Sequence, residues 1–174
     1  MTDLTIFTIG HSTHPINEFI AMLEAQGIKK LIDVRTIPKS RHNPQYNGDS
    51  LAASLRARGI TYRRMESLGG LRHAQKDSPN SAWRNASFKG FADYMQTEEF
   101  AAAVDQLVQR GRNNDAVIMC AEAVPWRCHR SLIGDALLAR NIAVLDIIAE
   151  KSVKPHTLTS FARVDKHRVW YPAG

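Results

Sequence analysis

The chain contains two cysteines, eight residues apart, at a predicted strand-to-helix junction. Cys120 ends the apolar run 116–120, and Cys128 directly precedes His129 and Arg130, where a helix is predicted to begin. A thiol carried by a buried strand into a loop that opens a helix is typical of nucleophile and anion sites in α/β proteins. Neighbouring arginines and a helix N-terminus lower the pKa of a thiol. The pattern therefore predicts where a site lies, but not which reaction it performs.

Three residues of this junction are candidate catalytic groups: Cys120, Glu122 and His129. Cys120 is the candidate nucleophile, and Glu122 is the candidate general acid or base. A cysteine at the end of a strand is also common as a small buried apolar residue. Cys128 is interpreted as a packing residue, with a resolving thiol or a metal ligand as alternatives.

Basic side chains cluster after several predicted strands. Parallel strands end along one edge of a sheet, where ligands bind, and guanidinium groups suit phosphate or carboxylate. Eight Lys or Arg residues are expected at this edge: Arg35, Lys39, Arg41, Arg63, Arg64, Arg72, Arg127 and Arg130. The predicted anion-binding residues are His11, Ser12, Arg35, Arg41, Arg127 and Arg130. Asp33 is a further candidate, and its alternative role is to pair with a neighbouring arginine.

The elements that must position these residues alternate between strand and helix. β-branched and apolar runs predict strands at residues 4–9, 31–34, 60–62, 116–120 and 143–148. Helical spacing of apolar residues predicts helices between them. Such connections imply right-handed parallel crossovers with helices on both faces of the sheet. The predicted fold is a three-layer α/β/α sandwich with a mostly parallel sheet.

The organisation along the chain is that of a single α/β domain over residues 1–174, a length that buries a full core. Residues 69–89 are rich in Ser, Asn, Gly and Pro and are predicted to form a long loop, either a lid or a surface excursion. Residues 151–174 are predicted to be a basic C-terminal extension without clear periodicity.

Composition restricts the class of protein. A hydrophobic content of 44% and a charged content of 23% are typical of a globular protein, and no apolar run is long enough for a membrane span. The N-terminus lacks a signal-peptide pattern, and two cysteines do not form a disulfide framework, so we expect a cytoplasmic location. The net charge of +6 favours an anionic partner, a small molecule or a nucleic acid, although it also serves solubility.

Metal and cofactor binding are not predicted. His11, His14, Cys120, Glu122, Cys128 and His129 are residue types that bind metals, but none follows a strong ligand spacing.

Three motifs together resemble a known family. They are the run from Thr8 to Thr13, then Asp33-Val34-Arg35 with Pro38 and Ser40, then Cys120-Ala121-Glu122 followed by Cys128-His129-Arg130. In this order the motifs resemble the family described as domain of unknown function number 488. The resemblance implies a compact cytosolic α/β protein and no assigned activity. It also implies a histidine shortly after the last strand, for which His156 is the matching candidate.

A weaker similarity is to rhodanese-like domains, in which a cysteine ends a strand before an anion-binding loop. The chain departs from that pattern because its loop is longer and contains Pro125 and Trp126. A phosphatase loop would need arginine at the position of Trp126, and Arg127 comes one residue later. These departures disfavour sulfur-transfer and phosphatase chemistry.

Two classes of function fit these residues. The first is an enzyme that acts on a phosphorylated or other anionic substrate through Cys120 and Glu122. The alternative is a non-catalytic module that binds nucleic acid or a nucleotide, in which arginines hold phosphates and Trp83 or Trp126 stacks on a base.

Overall fold

The computed structural model describes residues 4–174, and within them strands and helices alternate along the chain. The strands are β1 (Thr5–Gly10), β2 (Lys30–Asp33), β3 (Thr61–Arg64), β4 (Ala116–Cys120), β5 (Ala143–Ala149), β6 (Ser152–Pro155), β7 (Arg163–Asp165) and β8 (Arg168–Trp170). The helices are α1 (Ile16–Glu24), α2 (Gly48–Arg56), α3 (Ala86–Tyr94), α4 (Glu98–Arg110) and α5 (Arg130–Leu138). Short 3-10 turns lie at Pro44–Tyr46, Glu66–Leu68 and Pro125–Arg127.

Six strands form one sheet in the order β3-β2-β4-β1-β5-β6. The first five in this order pair in parallel, and β6 is antiparallel to β5. β7 and β8 form a separate antiparallel pair. The predicted mostly parallel α/β sandwich is confirmed.

Each face of the sheet has its own apolar core, because successive side chains of a strand point to opposite faces. In β1, Ile6 belongs to the core that contains α3, α4 and α5, whereas Phe7 belongs to the core that contains α1 and α2. Helices therefore cover both faces of the sheet. The sheet and these two helical layers form the three-layer sandwich.

The centre of the sheet contains a topological switch point. The helix after β1 packs on one face, and the helix after β4 packs on the other, although these two strands are neighbours. Connections that leave in opposite directions open a crevice at the carboxyl ends of the two strands. Cys120, the last residue of β4, pairs in register with Gly10, the last residue of β1. Cys120 therefore lies at the crevice.

The irregular segment after Gly69 is shorter than the predicted loop, because α3 begins at Ala86. The side chain of Asn85 caps this helix by accepting hydrogen bonds from the backbone N–H groups of Ser87 and Phe88. The segment before it is fixed by Asp93, which accepts hydrogen bonds from the backbone N–H of Gln75 (2.7 Å) and from the side chains of Ser78 and Asn80.

The C-terminal extension, whose sequence shows no clear periodicity, is structured. It contributes β6 to the sheet and the β7–β8 pair, and the following Tyr171 is fully buried. The hydroxyl of Tyr171 donates a hydrogen bond to Asp135 of α5 at 2.7 Å. None of the helices in residues 4–174 is long and apolar enough to cross a membrane.

Candidate functional site

The loop that follows β4 lies directly against the loop that follows β1. The backbone N–H groups of His11 and Ser12 donate to the carbonyls of Cys120 (2.9 Å) and Ala121 (2.8 Å). A Cβ atom on Gly10 would lie 1.5 Å from the carbonyl oxygen of Glu122, so only glycine permits this approach. The arrangement holds Cys120 and the start of its loop in one position.

Arg130, in the first turn of α5, is fully buried behind this loop. Its Nη1 lies 3.0 Å from the sulfur of Cys120 and 2.6 Å from the carbonyl oxygen of Glu122, and its Nη2 donates to the carbonyl of Ala123 at 3.2 Å. No carboxylate in residues 4–174 forms an ion pair with Arg130, and its Nε is buried without an acceptor. A buried charge normally requires an opposite charge. The group positioned to supply that charge is the Cys120 thiolate.

The two cysteines are both free thiols and differ in their ionisation. Burial raises the pKa of Cys120, but hydrogen bonds from Cys128 and Arg130 and the charge of Arg130 outweigh burial and lower the pKa to about 7. The hydrogen bond with Cys120 and burial together hold the pKa of Cys128 well above its usual range. Of the two thiols, Cys120 is therefore the more readily ionised.

His129 is held as a neutral imidazole next to Cys128. Its Nε2–H donates to the carbonyls of Leu68 (2.9 Å) and Val34 (3.1 Å), which leaves Nδ1 unprotonated at 3.5 Å from the Cys128 sulfur. Burial lowers the pKa of His129 to about 4 despite these hydrogen bonds. The backbone at Gly70 packs on the ring, since a Cβ there would lie 2.5 Å from Nδ1. His129 can therefore accept a hydrogen bond from the Cys128 thiol.

Arg35 and Asp33 form a buried ion pair at the end of β2. The guanidinium donates to both carboxylate oxygens, at 2.9 and 2.7 Å, and also to the carbonyl of Tyr46 at 2.8 Å. Tyr62 donates a further hydrogen bond to Asp33 at 2.6 Å. The charge of Arg35 is therefore largely neutralised by Asp33, and this pair mainly orders the wall of the crevice.

His11 belongs to the same wall. Its Nδ1–H donates to the carbonyl of Ser12 at 2.8 Å, its Nε2 is 3.4 Å from Nη1 of Arg35, and its ring stacks on Tyr46 with centroids 4.2 Å apart. Burial lowers the pKa of His11 to about 4, so the ring is neutral at pH 7. His11 can orient Arg35 but carries no charge of its own toward an anion.

A cavity of about 360 Å³ opens over the two cysteines. This volume is within the range of small-molecule sites. Lys39 and Arg127 are exposed on its wall, and neither side chain forms a hydrogen bond or an ion pair with another of the described residues. The other lining residues are Arg35, Thr36, Ile37, Gly70, Leu71, Ser87, Phe88, Cys120, Ala121, Glu122, Cys128 and His129.

Most of the candidate residues from the sequence come together at this crevice. Cys120, Glu122, Cys128, His129, Arg35 and Arg127 line the cavity, and Arg130, Asp33 and His11 support it from behind. Ser12 contributes its backbone N–H to the loop contact, and its φ of 47° lies in the left-handed region. Arg41 is exposed and is not part of the cavity wall. Phe88 of α3 lines the cavity and was not a candidate, because α3 was not predicted.

His156 lies in a different cavity of about 440 Å³, together with Trp83, Trp126 and Phe161. Its two ring nitrogens contact Asp135 (3.0 Å) and Asp146 (3.4 Å), an arrangement that fits a protonated ring. Burial lowers the pKa of His156, but these two carboxylates outweigh burial and raise it to about 9. Asp135 was missed by sequence reasoning, although a carboxylate on the apolar side of a helix is a usable signal of a buried polar partner.

Metal-ligating side chains do not converge in the part of the chain that the structure describes. No group of three His, Cys, Asp or Glu residues there is arranged to hold a metal ion.

Comparison with known proteins identifies one family. The model of the family described as "Domain of unknown function DUF488" matches residues 15–137, which is more than two thirds of the chain and includes both cysteines, His129 and Arg130. No curated protein and no solved structure matches the chain significantly.

Proposed function

Since the chain belongs to the DUF488 family, whose description assigns no activity, we propose a function from the site itself: an enzyme that acts on an anionic substrate with the Cys120 thiolate as nucleophile. Phosphorylated compounds and other small anions are the substrate class. The substrate would bind in the cavity over Cys120, whose wall carries the exposed side chains of Lys39 and Arg127.

The observation that carries this proposal is the contact between Arg130 and Cys120. A fully buried guanidinium 3.0 Å from a sulfur atom, without a carboxylate partner among residues 4–174, favours the ionised thiol. A thiolate is the nucleophilic form of cysteine. A cysteine that served only as a buried apolar residue would not need a buried cation as its neighbour.

Anion recognition is assigned to Lys39 and Arg127. Both are exposed on the cavity wall and have no protein partner in the described chain, so a bound anion can take their hydrogen bonds. Arg35 also lines the cavity, but its pairing with Asp33 makes it a positioning residue. Arg130 is fully buried and contacts Cys120, so it is assigned to stabilise the thiolate and not to bind the substrate.

Proton transfer is assigned to Glu122, whereas His129 is assigned to orient the Cys128 thiol. Glu122 is exposed on the cavity wall and can act as general acid or base toward a leaving group. His129 carries an unprotonated Nδ1 toward Cys128. We include a cytoplasmic location in the proposal, because a reducing compartment keeps both cysteines as thiols.

Two alkylating reagents test the proposal, because iodoacetate is anionic and iodoacetamide is neutral. Peptide mass spectrometry gives, for each thiol, the ratio of its rate with iodoacetate to its rate with iodoacetamide. We expect this ratio to be higher for Cys120 than for a free thiol. Arg127→Ala should lower this ratio by about threefold to tenfold, equivalent to the loss of one short-range charge interaction. Arg41→Ala removes the same charge outside the cavity and should leave the ratio unchanged.

The same assay separates the competing explanations. Phosphate or sulfate should slow the alkylation of Cys120 in the unchanged protein but much less in Arg127→Ala. Equal ratios for Cys120 and for a free thiol would reject anion recognition at this cavity. Protection by oligonucleotides at low salt, without protection by small anions, would instead favour the nucleic-acid-binding alternative.

A further inference from the structure

The cavity contains a second thiol, that of Cys128. Nucleophilic attack by Cys120 alone gives this second thiol no role. Cys128 and Cys120 both line this cavity, and both sulfur atoms contact Arg130. The guanidinium Nη1 lies 3.0 Å from Cys120, and the backbone N–H of Arg130 lies 3.5 Å from the sulfur of Cys128. One residue therefore contacts both thiols on the wall of one cavity.

We propose that Cys120 and Cys128 act as a dithiol that reduces small anionic disulfides, with Cys120 as the attacking residue and Cys128 as the resolving residue. The inference rests on the proposed function, since it requires the Cys120 thiolate and the basic cavity wall. It adds the substrate class, namely a disulfide whose substituents carry carboxylates or similar anions, and it gives Cys128 a role.

The first step forms a mixed disulfide. The Cys120 thiolate attacks one sulfur of the substrate R–S–S–R, the bond between Cys120 and that sulfur forms, and the substrate S–S bond breaks. The other half leaves as the thiolate R–S⁻. A thiol with a pKa near the ambient pH is the most effective attacking group, which fits Cys120 and not Cys128.

The second step releases the other half of the substrate. The sulfur of Cys128 attacks the sulfur of Cys120, the Cys120–Cys128 bond forms, and the second R–S⁻ leaves. Once Cys120 is part of the mixed disulfide, its negative charge no longer raises the pKa of Cys128, and the proton of Cys128 passes to the departing thiolate. The two thiols thus supply the two electrons that reduce the substrate, and a low-molecular-weight thiol restores them by the reverse exchange.

The contacts around Cys128 favour this order of events. A thiol that is neutral at rest does not compete with Cys120 for the substrate. Its S–H group is already oriented, because the carbonyls of Val34 and Leu68 fix Nε2 of His129, and the unprotonated Nδ1 can accept a hydrogen bond from Cys128. Among residues 4–174 no metal-binding group includes either sulfur.

Dithiobis-nitrobenzoate, an aromatic disulfide that carries carboxylates, is a suitable probe because its released thiolate is coloured. The unchanged chain should release about two equivalents of that thiolate and end as an intramolecular disulfide, without a retained adduct. Cys128→Ser should release about one equivalent and keep a nitrobenzoate adduct on Cys120. Cys120→Ser should react more slowly than the unchanged chain, because burial still raises the pKa of Cys128.

Mass spectrometry of the unchanged chain decides the outcome even if a variant fails to fold. A loss of two hydrogens without an adduct supports the dithiol role, whereas an adduct on each cysteine overturns it. In that second case, preserved anion-dependent alkylation of Cys120 would leave the proposed function intact. If Cys120 reacts with neither iodoacetate nor dithiobis-nitrobenzoate faster than a free thiol, both proposals fail. The neutral dithiodipyridine serves as the control for charge and should lose little rate in Arg127→Ala.

Discussion

At the scale of single residues, Gly10 determines how closely the loop after Cys120 can pack against β1. A side chain there would overlap the carbonyl of Glu122, which is also an acceptor for Arg130. We expect Gly10→Ala to lower the free energy of unfolding by about 3 kcal/mol, as overpacking of a rigid contact does, and to slow the alkylation of Cys120. Gly48→Ala, whose added Cβ would have no neighbour closer than 3.2 Å, is the matched control.

Thermal unfolding and the rate of reaction with iodoacetamide measure the two effects of Gly10→Ala. A variant that is as stable as Gly48→Ala and that retains the reactivity of Cys120 would contradict the proposed contact between the two loops.

The sequence identifies the residue types of the site better than their roles. The two cysteines and the arginines around them were predictable, because parallel strands end at a common edge. Arg35 and Arg130 were both expected to bind an anion, but Arg35 pairs with Asp33 and Arg130 contacts Cys120. Sequence shows where a charge is, whereas its partner depends on the tertiary contacts.

At the scale of elements, the central strands were predictable and the periphery was not. β4 is a continuous apolar run that is buried along its whole length, and β1 is buried after its first residue, which is typical of strands covered on both sides. α3 was missed because its first turn follows a segment rich in turn-forming residues, although Asn85 and the spacing of Phe88, Phe91 and Met95 are a usable helix signal. The strands β6, β7 and β8 are short and largely exposed, so they show no alternation of apolar and polar residues.

At the scale of the whole molecule, the His156 cluster joins the C-terminal segment to α5 and β5. Its ring contacts Asp135 and Asp146, and Asp135 also accepts hydrogen bonds from Thr159 and Tyr171. A folded-state pKa of about 9, above the value of 6.5 for the unfolded chain, means that protonation stabilises the fold. This contribution is complete below the unfolded value and is lost as the pH rises through the folded value.

We therefore expect the unchanged chain to exceed His156→Gln in free energy of unfolding by about 2 kcal/mol at mildly acidic pH. The difference should shrink as the pH rises through about 9, where the imidazole of the folded protein loses its proton. Urea unfolding of both proteins across this interval measures it. A difference that is constant with pH would show that the ring stabilises the fold by packing alone.

The ionisation of Cys120 is the central claim, and the pH dependence of its alkylation by iodoacetamide, resolved by peptide mass spectrometry, tests it most directly. The rate should rise with a midpoint near the Cys120 pKa of about 7. In Arg130→Lys the midpoint should move upward, because a single ammonium group cannot bond both the sulfur and the loop carbonyls as the guanidinium does. A midpoint at the ordinary cysteine value of about 8.5 or higher, with no change in Arg130→Lys, would contradict the account.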